Sequence, residues 1–488
     1  MIAARVHLPA RRAAIPARAL LWTAICAYAA GFSALSILRN RAFETGRFDL
    51  GNMVQAVYNT AHGRFLEMTS LQGEEISRLA AHVDPILALF APLWWIWPSP
   101  DMLLTVQAVA IALGALPVYR LAERHLGGRR PALGFALAYL LYPPVQWLTL
   151  NEFHPVALAT PLLLWGIRLL DDDRPLAFCG VGLLAAATKE EVGLVVAMLG
   201  LWYALARRRR AWGLGIAAAG AAASLIAIAV VIPHYNAGAH SAFYTRYSEV
   251  GGSPGGILKT AVTDPGHLLA TAFDHAGVWY LLDLLLPLVL LALAAPLLAL
   301  VALPELAINL LSATTTQTSI HFHYTAAILP PFVAASVLGA ARIARGRLAV
   351  AERLAAVAVV AAVVANWWLG PIPVWRYVPG GQTLQARAAQ VSPHDLVDAR
   401  AVALVPGGVV VSASNALGAH LSARRRVLSF PYIQDATWVV VDERSPGYAD
   451  RLAPLPYETR IAWLRRNPAW KLVFEQNGVL AFRRIAPP

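Results

Sequence analysis

The stretch from Ala19 to Leu38, ALLWTAICAYAAGFSALSIL, decides the fold class of this chain. It runs for 20 residues without one Asp, Glu, Lys or Arg. A helix needs about 20 predominantly apolar residues to cross about 30 Å of hydrocarbon, and a bilayer requires the backbone hydrogen bonds to be satisfied within the segment. The run Gly213–Pro233 is similar in length and is also uncharged, and Leu281–Leu303 contains one charged residue, Asp283. They predict an α-helical integral membrane protein.

The composition supports the same class. Of the 488 residues, 58% are hydrophobic and 14% are charged, whereas soluble domains carry about 25% charged residues. A large soluble bundle would need a polar face on each helix, which these runs lack. The formal net charge of +12 comes from short arginine clusters between apolar runs, so we predict no nucleic-acid partner. Cys26 and Cys179 lie in apolar segments and predict neither a disulfide nor a metal site.

The arginine clusters predict the orientation, because cytoplasmic loops are enriched in Lys and Arg. We place residues 1–18 in the cytoplasm as a basic tail. The first apolar stretch is too long for a signal peptide and lacks a clear cleavage site. Placing the later clusters on the same side predicts about eleven transmembrane helices in the plasma membrane. The expected helices are 19–38, 101–122, 131–147, 156–170, two within 175–206, 211–233, a pair over 281–312 broken near Pro304, 325–341 and 349–369.

Three segments are then predicted on the external side. The transmembrane domain, 19–370, has a large external loop at 39–100 and a second one at 234–280. Residues 371–488 regain charged residues and β-branched runs, which predict a small extracytoplasmic α/β domain. Its strands are expected at 409–411, 438–441, 470–474 and 479–482, and its helices at 382–403 and 456–466.

Five polar clusters fall on this predicted external side, and ionisable residues at or within a membrane are functional candidates. The candidate residues are Asp49 and Gln55, then His82 and Asp84, then Asn151, Glu152 and His154, then Lys189, Glu190 and Glu191, and finally Gln317, His321, His323 and Tyr324. A short tryptophan-rich stretch, Ile86–Trp97, follows the second cluster and is expected to lie at the membrane interface.

Each cluster also has a simpler interpretation. Asp49 could cap a helix, Asn151–His154 could form a turn, and Lys189 could pair with its neighbouring glutamates. His82 with Asp84, or His321 with His323, could bind a divalent metal ion, but two ligands are weak support. Burying Lys189 near lipid would cost roughly 2.5–3.5 kcal/mol at mid-depth, which a bound phosphate would offset.

Several of these runs resemble a family of bacterial and archaeal predicted membrane proteins of unknown function. The resemblance covers roughly residues 40–345 and includes Phe48–Gln55, His82–Pro85, Tyr142–Pro144, Phe153–Pro155, Lys189–Glu191 and Gln317–Tyr324. Val411–Asn415, His420–Ser422 and Arg425 of the last domain are similar to such proteins as well.

That family distantly resembles type C glycosyltransferases, which are polytopic enzymes that use a lipid-phosphate-linked sugar. The resemblance implies a large first external loop with two interfacial helices and an acidic residue shortly after the first helix, here Asp49. This chain differs from that pattern in one respect: many such enzymes have a pair of acidic residues after the first helix, and this chain does not. Leu50 follows Asp49 in this chain, and Glu44 is the nearest other acid.

Our leading hypothesis is a glycosyltransferase that uses a polyprenyl-phosphate sugar at the external face. Asp49 would act as the catalytic base, and Lys189, with His321 or His323, would stabilise the leaving phosphate. Glu152 and His154 would orient sugar hydroxyls or hold a metal ion, and the other candidates would bind substrate. The expected partners are membrane lipid, the lipid-linked donor and a glycan, lipid or protein acceptor.

Two other functions remain open at this point. A transporter or flippase would fit the break near Lys189 and Pro304, because discontinuous helices mark transporter sites. The sequence shows no inverted repeat, however, and its polar clusters stay on one predicted face. A non-catalytic envelope scaffold would leave the buried lysine and glutamates unexplained.

Overall fold

A computed structural model describes residues 16–239, 241–381, 390–452 and 456–486. Arg5, Arg11 and Arg12 of the predicted basic tail lie outside the described residues, as does 382–389, the beginning of the expected helix 382–403.

Four helices are long and apolar enough to cross a membrane, and two pairs that are bent by 47° and 58° would raise the number to six. The four are Ala17–Arg41, Pro100–Leu126, Arg210–Tyr235 and Leu348–Leu369, and the bent pairs are Arg129–Leu141 with Pro143–Leu150 and Pro265–Ala272 with His275–Leu288. Shorter apolar helices are Pro175–Ala186, Val192–Ala206, Pro296–Leu310 and Leu329–Ala344, and Ala159–Asp171 adds another helix. The two short helices expected around Lys189 are therefore confirmed, while the count of eleven spans stays a prediction.

The apolar run Leu281–Leu303 is not the single helix that its composition predicts. Helix His275–Leu285 gives way to short 3-10 turns, and Val289 and Leu290 adopt left-handed φ angles of 56° and 54°. The break expected near Pro304 was also misplaced, because Pro304 lies in the first turn of helix Leu303–Leu310. Proline is tolerated in the first turn of a helix, because an N–H at that position would have no acceptor within the helix and its absence costs nothing.

Close packing explains the early break. Helix Leu329–Ala344 approaches the broken segment so closely that a Cβ on Gly339 would lie 2.0 Å from the carbonyl oxygen of Leu291. The glycine thus lets one helix lie directly on the backbone of another segment. The predicted loop 234–280 is also largely helical, with elements at Ala242–Val250, Pro254–Thr263, Pro265–Ala272 and His275–Leu285.

Replacing Gly339 with alanine is expected to destabilise the protein by about 1–3 kcal/mol, because the methyl group has no room beside a rigid backbone. The measurement is the thermal unfolding midpoint in detergent. Gly31→Ala is the matched control, since nothing lies within 4 Å of its Cβ position and alanine favours a helix by up to about 1 kcal/mol. Equal midpoints for the two variants would contradict this packing.

The segment after the first helix forms a small folded unit. It contains a π-helical turn and a helix, a two-stranded antiparallel hairpin, and two short helical segments. Trp95 and Ile96 at its end are 69% and 82% exposed, which suits the predicted interfacial stretch. The elements are Arg47–Gly51, Asn52–Ala61, β1 (Glu67–Thr69), β2 (Glu75–Ser77), Pro85–Phe90 and Ala91–Ile96.

The C-terminal part is a five-stranded sheet with helices on both faces, as an α/β domain requires. Its strands are β3 (Val411–Ala413), β4 (Val427–Ser429), β5 (Trp438–Asp442), β6 (Trp470–Gln476) and β7 (Val479–Arg484), in the order β4-β3-β5-β7-β6. The pairs of β3 with β4 and with β5 are parallel, and the others are antiparallel.

Alternation along the central strands builds two cores. Val439 and Val441 pack with helix Tyr457–Arg466, whereas Val440 packs with helix Pro393–Ala403. Successive side chains of a strand point to opposite faces, so one strand serves both layers. The sequence missed β4 and the short helix Asn415–His420.

Candidate functional site

Arg47 fastens the turn after the first helix to the C-terminal domain. Its side chain is 1% exposed. The guanidinium donates to the Val427 carbonyl (3.0 Å), to Ser429 Oγ (2.7 Å) and to the Thr69 carbonyl (2.7 Å). A buried guanidinium needs its donors satisfied, and here two strands of different units satisfy them. Arg47 therefore fixes the turn that carries Asp49 two residues later.

The same turn packs tightly against helix Asn415–His420. Asn415 Oδ1 accepts the Phe48 N–H at 3.0 Å. A Cβ on Gly51 would lie 2.6 Å from Ser422 Oγ, and one on Gly418 would lie 3.0 Å from Arg47 Cβ. Glycines at both positions permit this close approach.

Gln55 belongs to this contact and does not line a cavity. It is completely buried, and its amide nitrogen donates to Thr69 Oγ1 (2.9 Å) and to the Arg425 carbonyl (2.8 Å). Its amide oxygen accepts the Thr69 N–H at 2.9 Å. Burial and these contacts give Gln55 a structural role here, and its predicted contact with substrate stays a prediction.

A cavity of about 390 Å³ lies beside the Asp49 turn. Residues from six separate stretches of the chain surround it, so it forms only in the folded protein. Seven of the candidates that we selected from sequence line it: Asp49, His82, Asp84, His154, Lys189, His323 and Tyr324.

Asp49 and His154 face each other in this cavity. The Asp49 side chain is 48% exposed, and its Oδ1 lies 3.6 Å from His154 Nε2. His154 Nδ1 lies 2.7 Å from the Asn151 carbonyl oxygen. A carbonyl can only accept, so Nδ1 carries a proton and Nε2, which is buried without a hydrogen-bond partner, is directed at Asp49.

The His154 contact keeps Asp49 ionised. Burial alone would raise the pKa of Asp49, but the His154 imidazole, with the charges of Arg78 and His82, holds the pKa of this carboxyl below its usual value. An opposite charge within a few ångströms favours the carboxylate. Asp49 is thus available as a proton acceptor at neutral pH.

Glu152 supports Asp49 from behind and does not line the cavity. Its carboxylate accepts the N–H groups of Gly46 (3.1 Å) and Leu50 (2.8 Å), so it caps the turn. Burial raises the pKa of Glu152, and the charge of Asp49 raises it further, whereas these two N–H groups lower it. The predicted role in orienting sugar hydroxyls is therefore less suitable than a structural one.

Asn151 likewise acts through a neighbour. Its Oδ1 accepts the His323 N–H at 2.9 Å and lies 3.1 Å from His323 Nδ1. His323 stacks on His154 with ring centroids 3.8 Å apart. Burial, with the charges of His154 and Lys189, holds the pKa of His323 well below its usual value, so this imidazole is neutral.

The second cluster is held by ion pairs. Glu190 accepts hydrogen bonds from His82 Nδ1 (2.8 Å) and from the Val83 N–H (3.0 Å). Its carboxylate does not line the cavity. Asp84 pairs with Arg78 at 2.9 Å, and both side chains are less than 10% exposed. Asp84 is committed to this pair, so the metal site suggested by His82 and Asp84 is not formed by the two together.

A cationic region lies around Tyr324. Lys189 Nζ is 5.5 Å from the centre of the Tyr324 ring, and the Arg246 guanidinium is 6.0 Å from it. Arg246 also donates to Tyr324 Oη at 3.3 Å, while Lys189 is paired with Glu191. Two cations and a phenol hydroxyl can together receive a phosphate.

Arg246 and Arg78 were missed because we interpreted arginine only as an orienting charge. Both lie in segments that we place outside, where the positive-inside rule predicts few arginines. That exception was the available signal, and it also applies to Arg47.

Two candidates of the fifth cluster lie outside the cavity lining. Gln317 is 2% exposed and donates to Tyr247 Oη at 3.3 Å. His321 meets the Trp147 ring edge-on at 4.5 Å. The His321 imidazole lies against Trp147, whereas the His323 imidazole stacks on His154. The two rings therefore do not form the metal pair that their spacing allowed.

The donor set of the cavity fits a metal ion only in part. Asp49 and His154 offer two ligand atoms, and the unpartnered Nε2 of His154 suits such a role. Within the described ranges, however, the cavity residues do not bring three ligand atoms within 4.8 Å of one another. We assign no step to a metal ion there.

The chain is a largely helical membrane protein with an ArnT-like fold. The chain is similar to the crystal structure of ArnT from Cupriavidus metallidurans in the apo state, with a TM-score of 0.50 and 13% identity. The similarity covers 95% of this chain and 98% of that one.

The chain belongs to the predicted membrane protein family DUF2079, whose profile matches residues 39–481. The resemblance noted from sequence is confirmed and extends through the C-terminal domain. No curated protein sequence matches the chain.

Proposed function

We propose that this protein is a glycosyltransferase that moves a sugar from a polyprenyl-phosphate carrier to an acceptor at the external face of the membrane. The observation that carries the proposal is one cavity with an ionised carboxylate, Asp49, and a separate cationic region around Tyr324. Nucleotide sugars are cytoplasmic, so an external enzyme requires a lipid-linked donor. The tryptophan-rich segment Pro85–Ile96 would lie at the lipid surface where such a carrier enters.

The donor phosphate would bind to Lys189, Arg246 and the Tyr324 hydroxyl. Among the described residues no carboxylate pairs with Arg246, whose guanidinium lies over Phe243 at 4.5 Å and over Tyr324. Lys189 would exchange part of its contact with Glu191 for the phosphate. Positive groups fixed in a water-poor site stabilise the charge that develops on the leaving phosphate.

Asp49 would accept the proton of the acceptor hydroxyl as its oxygen attacks the anomeric carbon. The bond between that carbon and the phosphate oxygen breaks, and polyprenyl phosphate leaves with both electrons of the bond. His154 would hold the Asp49 carboxylate in place and keep it ionised. Such a base must come within about 2.6–3.2 Å of the hydroxyl.

The direct test is a transfer assay in proteoliposomes that contain the purified protein and a radiolabelled polyprenyl-phosphate sugar. We expect the label to leave the lipid when an envelope extract is supplied as acceptor. Label that stays on every donor and acceptor tried would contradict the proposal.

Lys189→Met and Arg246→Met are expected to weaken donor binding, since each removes one positive group from the phosphate. Each charge-assisted hydrogen bond is worth about 1.5–3 kcal/mol, so KM for the lipid donor should rise by roughly tenfold or more. The measurement is the initial transfer rate against donor concentration. Lys259→Met is the control, because Lys259 is exposed on helix Pro254–Thr263; an equal rise in KM for this control would refute the assignment.

A transporter or flippase is the second candidate, favoured by the discontinuous backbone at Val289 and at Lys189. Half-helices meeting at charged residues are typical of transporter sites. The two functions differ in chemistry, because transport leaves the bond between sugar and phosphate intact. Movement of an unaltered lipid-linked sugar across proteoliposomes, at the same rate in wild type and Asp49→Asn, would favour the transporter.

A further inference from the structure

The C-terminal domain contains a compact cluster of His394, Asp398 and Asp442. His394 and Asp398 are four residues apart on helix Pro393–Ala403 and so share one face of it, while Asp442 ends strand β5. One ligand atom from each lies within 4.8 Å of the others. His394 Nε2 is 2.9 Å from Asp442 Oδ2 and 3.8 Å from Asp398 Oδ2.

Asp398 is the unusual member of this cluster. Its residue is 4% exposed, and its Oδ1 is buried with no hydrogen-bond partner in the described part of the chain. Leaving a buried carboxylate unsatisfied is costly. The cluster therefore leaves one buried carboxylate oxygen without a partner.

Its geometry and donor types suit a transition metal. Ligand atoms that are about 2.0–2.2 Å from a tetrahedral Zn²⁺ lie about 3.3 Å apart, and the two distances from His394 Nε2 bracket that value. An imidazole nitrogen with carboxylate oxygens favours Zn²⁺ or Mn²⁺ over the all-oxygen ions Ca²⁺ and Mg²⁺. Asp442 Oδ1 also accepts the Arg444 N–H at 2.9 Å, which orients the carboxylate as metal-site neighbours do.

We propose that His394, Asp398 and Asp442 bind one divalent transition-metal ion, such as Zn²⁺, that joins helix Pro393–Ala403 to strand β5. The ion takes the place of a proton on His394 Nε2 and balances the charge of the buried Asp398 carboxylate. This helix packs on helix Asn415–His420, against which the Asp49 turn rests. The ion thus steadies the scaffold of the cavity without entering it.

The test measures bound zinc in the full-length protein in detergent. The protein is stripped with EDTA, dialysed against ZnCl₂, passed through gel filtration and analysed by mass spectrometry for metal per chain. Wild type should hold one zinc ion more than Asp398→Asn and His394→Gln. Asp435→Asn is the control, because Asp435 is a 49% exposed carboxylate of the same domain, and it should match wild type. Zinc should raise the unfolding midpoint of wild type and this control, but not of the two cluster variants.

Equal zinc content in wild type and both cluster variants would overturn the proposal, as would the absence of zinc uptake by wild type. His394 would then be a protonated partner of Asp442. If Asp398→Asn elutes as an aggregate, His394→Gln decides, because this side chain is 28% exposed and its loss leaves no buried gap. No sugar substrate enters the assay, so its outcome is independent of the proposed transferase activity.

Discussion

Asp49→Asn is expected to lower the rate of sugar transfer by about 10²–10⁴-fold, the usual contribution of a general base. Asparagine keeps the size of the side chain but cannot accept the proton of the acceptor hydroxyl. The donor phosphate is held by groups around Tyr324, so KM for the lipid donor should change little. The measurement is the initial rate in proteoliposomes over a range of donor concentrations.

Glu44→Gln is the matched control for this experiment. Glu44 is the nearest other acid and is exposed, so its loss should leave the rate within about twofold of wild type. A wild-type rate for Asp49→Asn would refute Asp49 as the base. A loss in both variants would mean that the charge of the segment matters, rather than one carboxylate.

Arg47→Met is expected to destabilise the contact between the C-terminal domain and the Asp49 turn by several kcal/mol. The substitution leaves buried acceptors on Val427, Ser429 and Thr69 without their donor, and each costs about 1–3 kcal/mol. Because Asp49 lies two residues away, the transfer rate should fall with the unfolding midpoint. Thermal unfolding in detergent and the transfer assay measure the two effects.

Arg425→Met is the control, since Arg425 lies at the same contact but is 65% exposed and pairs with Glu75 at 2.9 Å. Exposed ion pairs contribute about 0–1 kcal/mol, so this variant should remain close to wild type. An Arg47→Met protein with an unchanged midpoint would mean that the C-terminal domain does not hold the turn.

The sequence was informative where composition decides the structure. The lengths of the apolar runs predicted the ends of helices Ala17–Arg41 and Leu348–Leu369 to within about three residues. Lipid constrains both the length and the polarity of a helix that crosses it. It failed over Leu281–Leu303, where the broken backbone depends on the approach of Gly339. No local pattern encodes such a contact between distant segments.

The site was predicted in a similar way. Polar residues in an apolar chain are rare, so Asp49, His154 and Lys189 could be selected and do meet in one cavity. Sequence could not separate residues that line the cavity from those behind it. Gln55 and Glu152 are polar residues like those that line the cavity. Their side chains instead form hydrogen bonds with backbone groups far away in the sequence and lie outside the cavity lining.

The proposed sugar transfer and the role of Asp49 are tested together by mass spectrometry of envelope glycans from a strain that lacks this protein. We expect a glycan to lose one sugar in that strain, and we expect wild type and Glu44→Gln to restore the sugar whereas Asp49→Asn does not. Identical glycans with and without the protein, or full restoration by Asp49→Asn, would contradict it.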